Sequence, residues 1–470
     1  MAGLAALIAI SEPETILVPF SGPIVRARYT GPLKRVDDRG YQPPAAPAQP
    51  GGLRQRITSL RSDNMVRSAL SLILSTGIQA AFGFIFWIVT ARFFSTDDVG
   101  RASSLISATM LIGFFGLLGL NTTFVRFLAT ARDRGSLITA GLSLVGACSG
   151  VLALGYVVLT PVVAPRVAFI AHSPILAVGF VMLTAAGSMN VLTDSVFIAA
   201  DRAVYTAWTD GIVGGVTRIA VVVAISGAGA YGIFTASAGG QLTGVFVSLI
   251  LMARALGWRP RIRNLRETLA PVLHFTGANY VANIFNYIPN LVVPLIVLDR
   301  LGSSDAAYYY VSYQLASLLY QTVFAVEQSF LAEGAHGSVT RAFFVRSIRI
   351  LLMLCIPSFI VMVLLSHWML LLFGAKYASN AVSCLIALST AVIPIAANNW
   401  LLTVLRLANQ LRATVISNAC YAVAICGLAW FLAPRGLGAT ALAWPIGVSV
   451  GSVVAGIAAV HGIRRKRGSA

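Results

Sequence analysis

Between residues 276 and 290 the chain places Thr276, Asn279, Asn283, Asn286 and Asn290 at steps of three or four, with Tyr280 and Tyr287 alongside. That spacing returns every side chain to one face of an α-helix. Amides offer donors and acceptors together, and tyrosine adds a flat apolar ring with a polar tip. The combination suits sugar hydroxyls; the competing reading is a set of hydrogen bonds between neighbouring helices. Residues 310–328 repeat the pattern, with Gln314, Ser317, Gln321 and Gln328 on one face and Tyr310, Tyr313 and Tyr320 beside them. Near the start, Ser68, Ser71, Ser75 and Gln79 form a shorter stripe of the same kind.

Few charges interrupt the apolar runs. Asp194 and Arg218 lie on consecutive runs, near the same end. They either pair with each other or leave Arg218 to receive an anionic phosphate. Glu327 either serves as a proton-coupling site or pairs with a loop arginine, and His274 reads as an interfacial residue. Spaced Cys/His ligand sets, a P-loop and Gly-x-Ser-x-Gly are all missing. No catalytic residue, metal site or cofactor is therefore expected, and the loops are too short for a catalytic domain of a glycosyltransferase or polymerase.

The elements that carry these stripes follow from composition. Of 470 residues 57% are hydrophobic and 11% charged, with a mean hydropathy of +0.82. Soluble domains carry roughly a quarter charged residues, so an ordinary globular enzyme is excluded. At about 20 residues per span, a dozen transmembrane helices fit. Apolar runs fall at 67–91, 102–120, 136–160, 173–199, 211–230, 233–256, 269–298, 306–331, 346–373, 379–404, 413–433 and 437–462. Most tryptophans lie near predicted ends, where amphipathic rings meet the bilayer surface.

The net charge of +18 resides in loops and tails, which argues for membrane orientation and not for nucleic acid. Arg254, Arg259, Arg261, Arg263 and Arg266 cluster in one connection, and Arg464, Arg465, Lys466 and Arg467 in the C-terminal tail. Loops of the opposite set hold only Arg92, Arg101, Arg166, Arg300, Lys376 and Arg435. By the positive-inside rule both termini are cytoplasmic. All five cysteines fall in apolar runs, so no disulfide framework is implied.

Residues 1–64 read as a disordered cytoplasmic tail, because the Pro/Ala/Gln/Gly-rich stretch 40–52 cannot bury enough apolar surface to order itself. Residues 1–10 lack the basic leading segment of a signal peptide. The remainder divides into a lobe of six spans (65–256), a loop (257–268), a second lobe of six (269–463) and a basic tail (464–470). At an offset of 208 residues, Arg92, Ser95 and Asp97 fall on Arg300, Ser303 and Asp305. The polar stripe around Ser75 and Gln79 falls on that around Asn283 and Tyr287. Six is even, so the lobes are parallel repeats about an axis along the membrane normal. The predicted fold is all-α, with twelve transmembrane helices in two six-helix bundles around a central cavity. Pro289 and Pro294 should bend the seventh helix, which is expected to act as a moving gate.

The run Ala91-Arg-Phe-Phe-Ser-Thr-Asp-Asp-Val-Gly100, followed by Leu117-Leu-Gly-Leu-Asn-Thr-Thr-Phe-Val-Arg-Phe-Leu128, resembles the start of bacterial polysaccharide flippases. These belong to the multidrug/oligosaccharidyl-lipid/polysaccharide exporter superfamily. The first loop departs from the pattern at Phe93-Phe94, where the family commonly has Leu-Gly. The resemblance covers residues 65–465. It implies an inner-membrane transporter that moves a polyprenyl-linked oligosaccharide between leaflets, and it implies polysaccharide polymerases and glycosyltransferases as partners. A cation-coupled drug exporter of the same superfamily needs carboxylates in its central chamber, and the first, second and seventh spans have none. A major-facilitator transporter is disfavoured because 128–135 misses most of its loop motif.

Overall fold

The computed structural model describes residues 64–128, 131, 133–200, 202–225, 227–261, 284–336, 341–407 and 410–467. The expectations for the N-terminal tail and for most of the loop after residue 257 lie outside these residues. Among the described residues the chain is helical and contains no strand. Its twelve helical passes are α1 (Asn64–Phe93), α2 (Thr96–Gly116), α3 (Arg134–Val163), α4 (Pro174–Ala199), α5 (Val204–Ala224), α6 (Gly229–Ala255), α7 (284–300), α8 (Ser303–His336), α9 (Arg341–Leu371), α10 (Val382–Arg406), α11 (Leu411–Leu432) and α12 (Ala443–Arg467). Among the described residues, nine of them are long and apolar enough to cross a membrane. Helix satisfies every backbone group within one segment, which hydrocarbon demands. The outward faces of α3 and α9 are correspondingly apolar, with Val158, Val162, Leu364 and Trp368 exposed.

Two boundaries differ from the hydropathy reading, for a common reason. The second helix begins at Thr96 and not near 102, because Ser95 caps it by accepting a hydrogen bond from the Asp98 amide at 3.1 Å. Asp97 and Asp98 in the first turn suit the positive end of the helix. The fifth begins at Val204 and not near 211, and passes through a π-helical stretch at Ala207–Val213 that contains Asp210. Hydropathy discards acidic first turns that helices accept. α2 also breaks at Leu118 (φ 49°) and Gly119 (φ 74°), then resumes as Leu120–Phe127.

The passes form two bundles of six. In the first, α1 packs on α5, α5 on α6, α6 on α4 and α4 on α3, with α2 in the middle. In the second, α8 occupies the middle against α9 and α10, while α12 packs on α10 and α11. The two central helices, α2 and α8, pack against each other and join the bundles. One large apolar cluster runs through this seam and includes Trp87, Leu105, Tyr309 and Trp444. Two smaller clusters stay within single bundles, around Leu120, Phe124 and Phe197 and around Leu401 and Leu405. The ends of the assembly are unlike. One, the linker face, carries the connection from α6 to α7; the other, the gate face, carries the short turns α1–α2 and α7–α8.

Candidate functional site between the bundles

At the gate face the bundles are shut. Thr96 and Ser304, one at the start of each central helix, lie 3.3 Å apart through their hydroxyls. The Ser303 hydroxyl donates to the Asp97 carboxylate, which also binds Arg101 at 2.7 Å. Gly100 faces the Ser303 carbonyl so closely that a Cβ there would overlap it. Around this contact, Arg92 donates to the carbonyls of Leu372 (2.9 Å) and Leu371 (3.4 Å) at the end of α9. Phe84 meets Phe373 edge-on at 5.4 Å, and Trp87 rests on Tyr310 at 4.5 Å.

Toward the linker face the central helices open at equivalent positions. From Thr96 to Thr109 α2 has no exposed residue, and then Met110 is 48% exposed. From Ser303 to Ser317 α8 has none, and then Leu318 is 44% exposed. Met110 and Leu318 are related by the same 208-residue offset as Thr96 and Ser304. Beyond Leu318, Gln321 and Thr322 are exposed. An exposed amide within the span is costly against hydrocarbon and is expected to face water or protein.

The sequence-predicted residues divide between this opening and the second bundle. Gln314 and Asn286 are half-buried, and among the described residues neither side chain has a hydrogen-bond partner. Tyr287 is exposed and lies 5.0 Å from Phe114 across the seam. Gln79 lies half-buried beside Gly211 of α5. Tyr313 turns into the second bundle, where it stacks with Tyr309 and Trp444 and donates to Asn290. The Tyr313 bond ties α7 to α8, and the Asn290 side-chain amide donates back within α7 to the Asn286 carbonyl at 3.3 Å. Trp444 Nε1 donates to the Tyr309 hydroxyl at 2.7 Å, and the Tyr320 hydroxyl donates to the Leu388 carbonyl at 2.7 Å. Asn279, Tyr280 and Asn283, and the side chains of Ser75 and Gln328, lie outside the described residues.

Of the two readings for Arg218, the pair with Asp194 is not formed. Asp194 instead lies beside Asp210 of α5, whose Oδ1 accepts from Asn190 Nδ2 at 2.8 Å. Gly244 of α6 leaves the space for this cluster, since a Cβ there would come within 2.9 Å of Asn190 and Asp210 oxygens. Arg218 bonds only weakly to its own helix, Nε to the Gly214 carbonyl at 3.3 Å. It lies near Asp210 and near Tyr310 from the other bundle. Glu327 takes the second of its two expected roles: it is buried and bound to Arg406 at 2.9 Å and to the Thr403 hydroxyl at 3.3 Å.

Asp210, Asn190 and Trp87 complete this arrangement with Tyr310, and sequence reasoning assigned none of the three to a site. Asp210 stands one residue ahead of the apolar run that begins at 211, where hydropathy carries no helix signal.

Two six-helix bundles, sealed at one end and exposed at equivalent positions toward the other, define a multi-pass helical membrane protein. The profile of a family described as "Polysaccharide biosynthesis protein" matches residues 65–330. The chain belongs to that family. Its fold is similar to that of the lipid II flippase MurJ in an inward closed conformation, with TM-score 0.64 at 15% identity, covering 82% of this chain and 87% of that one. It is also similar to an inward-facing multidrug resistance MATE transporter, with TM-score 0.57 at 14% identity, covering 84% and 98%. A further similar structure is a transporter of the multidrug/oligosaccharidyl-lipid/polysaccharide exporter superfamily from Pyrococcus furiosus Vc1, with TM-score 0.57 at 14% identity, covering 86% and 95%. No curated protein matches the chain.

Proposed function

We propose that the protein flips a polyprenyl-(pyro)phosphate-linked oligosaccharide from the cytoplasmic to the outer leaflet of the bacterial cytoplasmic membrane. It acts for cell-surface polysaccharide synthesis, by alternating access between the two lobes. The observation that carries this reading is the symmetric parting of α2 and α8 at Met110 and Leu318, with Gln321 beyond it. The linker face is assigned to the cytoplasm because the arginine-rich connection and tail lie there. The cavity then opens inward, where the lipid-linked sugar is made. Asn279, Asn283, Asn286, Gln314, Gln321 and Gln328 supply amides for sugar hydroxyls; Ser75, Gln79, Tyr280 and Tyr287 complete the wall, and Asn290 with Tyr313 braces α7 on α8 behind it. Arg218 is the cation for the phosphate. The Asp194–Asp210 pair can take up and release a proton as the lobes rock. A polymerase or glycosyltransferases are the partners that consume and supply the substrate.

A cation-coupled drug exporter is the second reading, and the specific observation in its favour is the same carboxyl pair. Reconstitution separates the two. Proteoliposomes are loaded with a fluorescent polyprenyl-pyrophosphate oligosaccharide, and its exposure to an impermeant sugar-modifying enzyme is followed. Protein-dependent exposure, lost on Asn283→Leu with Asn286→Leu, is the expected result. Uptake of a lipophilic cationic dye with no movement of the glycolipid would assign the exporter instead.

A further inference from the structure

Leaving α6, the chain turns at Gly257 (φ 63°) and folds back beneath the first bundle. Trp258 Nε1 donates to the Gly135 carbonyl at 3.4 Å, and the Arg261 amide donates to the Thr139 hydroxyl at 3.3 Å. The fold-back encloses a cavity of about 510 Å³ against the ends of α3 and α4. This space is remote from the α2–α8 seam. Its wall combines apolar residues, Val196, Leu256 and Trp258, with basic ones, Arg134, Arg259 and Arg261.

Among the described residues the Arg259 and Arg261 side chains have no ion pair. The one carboxylate present, Asp133, is held by the helix it caps: its oxygens accept from the Ser136 amide at 3.0 Å and the Ser136 hydroxyl at 2.8 Å. The cavity thus retains a positive excess, reinforced by the start of the thirty-residue helix α3. A free inorganic anion would use the guanidinium groups and leave the apolar wall wet. An amphiphile with a phosphate head would use both, and basic pockets between helices at this level of a membrane suit anionic lipid heads.

The geometry points to a binding site for the phosphate head of an anionic phospholipid, formed by Arg134, Arg259 and Arg261 over the Trp258 wall. Occupancy pins the first residues of the inter-lobe connection to the first bundle. The assignment needs no particular transported substrate. It shares with the proposed function only the placement of the linker face at a membrane surface, and liposomes present lipid to both faces.

The full-length protein is purified and its retained lipids are counted by native mass spectrometry after titration with phosphatidylglycerol, phosphatidylethanolamine or inorganic phosphate. One phosphatidylglycerol should be retained preferentially. Arg259→Gln with Arg261→Gln should weaken that binding by roughly thirtyfold, about fivefold for each arginine removed, which corresponds to about 1 kcal/mol per cation at a membrane surface. Arg259→Lys with Arg261→Lys should keep most of it and guards against a variant that merely misfolds. Quenching of tryptophan fluorescence by brominated phosphatidylglycerol should drop in Trp258→Phe, which locates the lipid. Equal retention of the zwitterionic lipid, competition by millimolar phosphate alone, or unchanged retention in the Gln pair would each overturn the assignment.

Discussion

Thr96 and Ser304, separated by 208 residues in the chain, touch through their hydroxyls at 3.3 Å where the two bundles meet. They are counterparts in the repeat, so the axis relating the bundles passes between them. The contact seals the gate face.

Gly100→Ala should prevent the gate from seating, because the new methyl meets the Ser303 carbonyl, a backbone atom with no freedom to yield. Overpacking of this kind costs about 1–3 kcal/mol, which moves the closed state by roughly one to two decades. Transport should fall at least tenfold, while thiol reagents applied from the gate side gain access to a cysteine placed at Thr96. A variant that transports normally and stays sealed would refute this account of the closure.

Met110→Cys and Leu318→Cys, made separately in a background lacking the five native free cysteines, should react with an impermeant maleimide. Labelling is expected from the linker face and not from the gate face, and at comparable rates. A rate ratio of a hundred or more between the two sites would break the symmetry inferred from their exposures.

Arg218→Ala should reduce flipping about ten- to a hundredfold, the loss expected for a charge-assisted hydrogen bond to phosphate, with little change in protein level. Exchanging Asp194 and Arg218 should not restore activity, because the two are not partners. Rescue by the exchange would show that they pair in another state of the cycle.

Asp194→Asn should keep the fold, since an amide can donate to Asp210. It should also remove the response of transport to an imposed pH gradient. Asp210→Ala leaves the buried Asn190 amide without its acceptor and should destabilise by about 1–3 kcal/mol, read as the thermal midpoint in detergent. An unaltered pH response in Asp194→Asn would take the pair out of the coupling scheme.

Glu327→Ala strands Arg406 beside a buried site and should cost about 3 kcal/mol. Removing both charged groups should recover much of that loss. A double-mutant cycle on thermal stability measures the coupling, and additivity would dismiss the ion pair as a stabilising element.

Much of this was legible in the sequence because membrane helices advertise themselves by length and apolarity, and the repeat by its constant offset. The pairing of Asp194 was not. Its true partner, Asp210, sits in a π-helical turn that begins before the apolar run, where hydropathy reads loop. Tyr313 carries the spacing of the glutamine stripe, yet it points at Trp444 and Asn290, because a periodic face fixes direction along one helix and not which neighbour fills it. Gly100 gave no warning, since the carbonyl it faces comes from a residue more than two hundred positions away.

The large apolar cluster bridges both bundles at the gate face, while the two smaller ones remain private to each. Parting the gate must then wet Phe84, Trp87 and Tyr310, at a cost near 25 cal/mol for every Å² uncovered, and leaves the private clusters intact. The protein consequently rests with its gate face shut, held by apolar contact and without a dedicated lock.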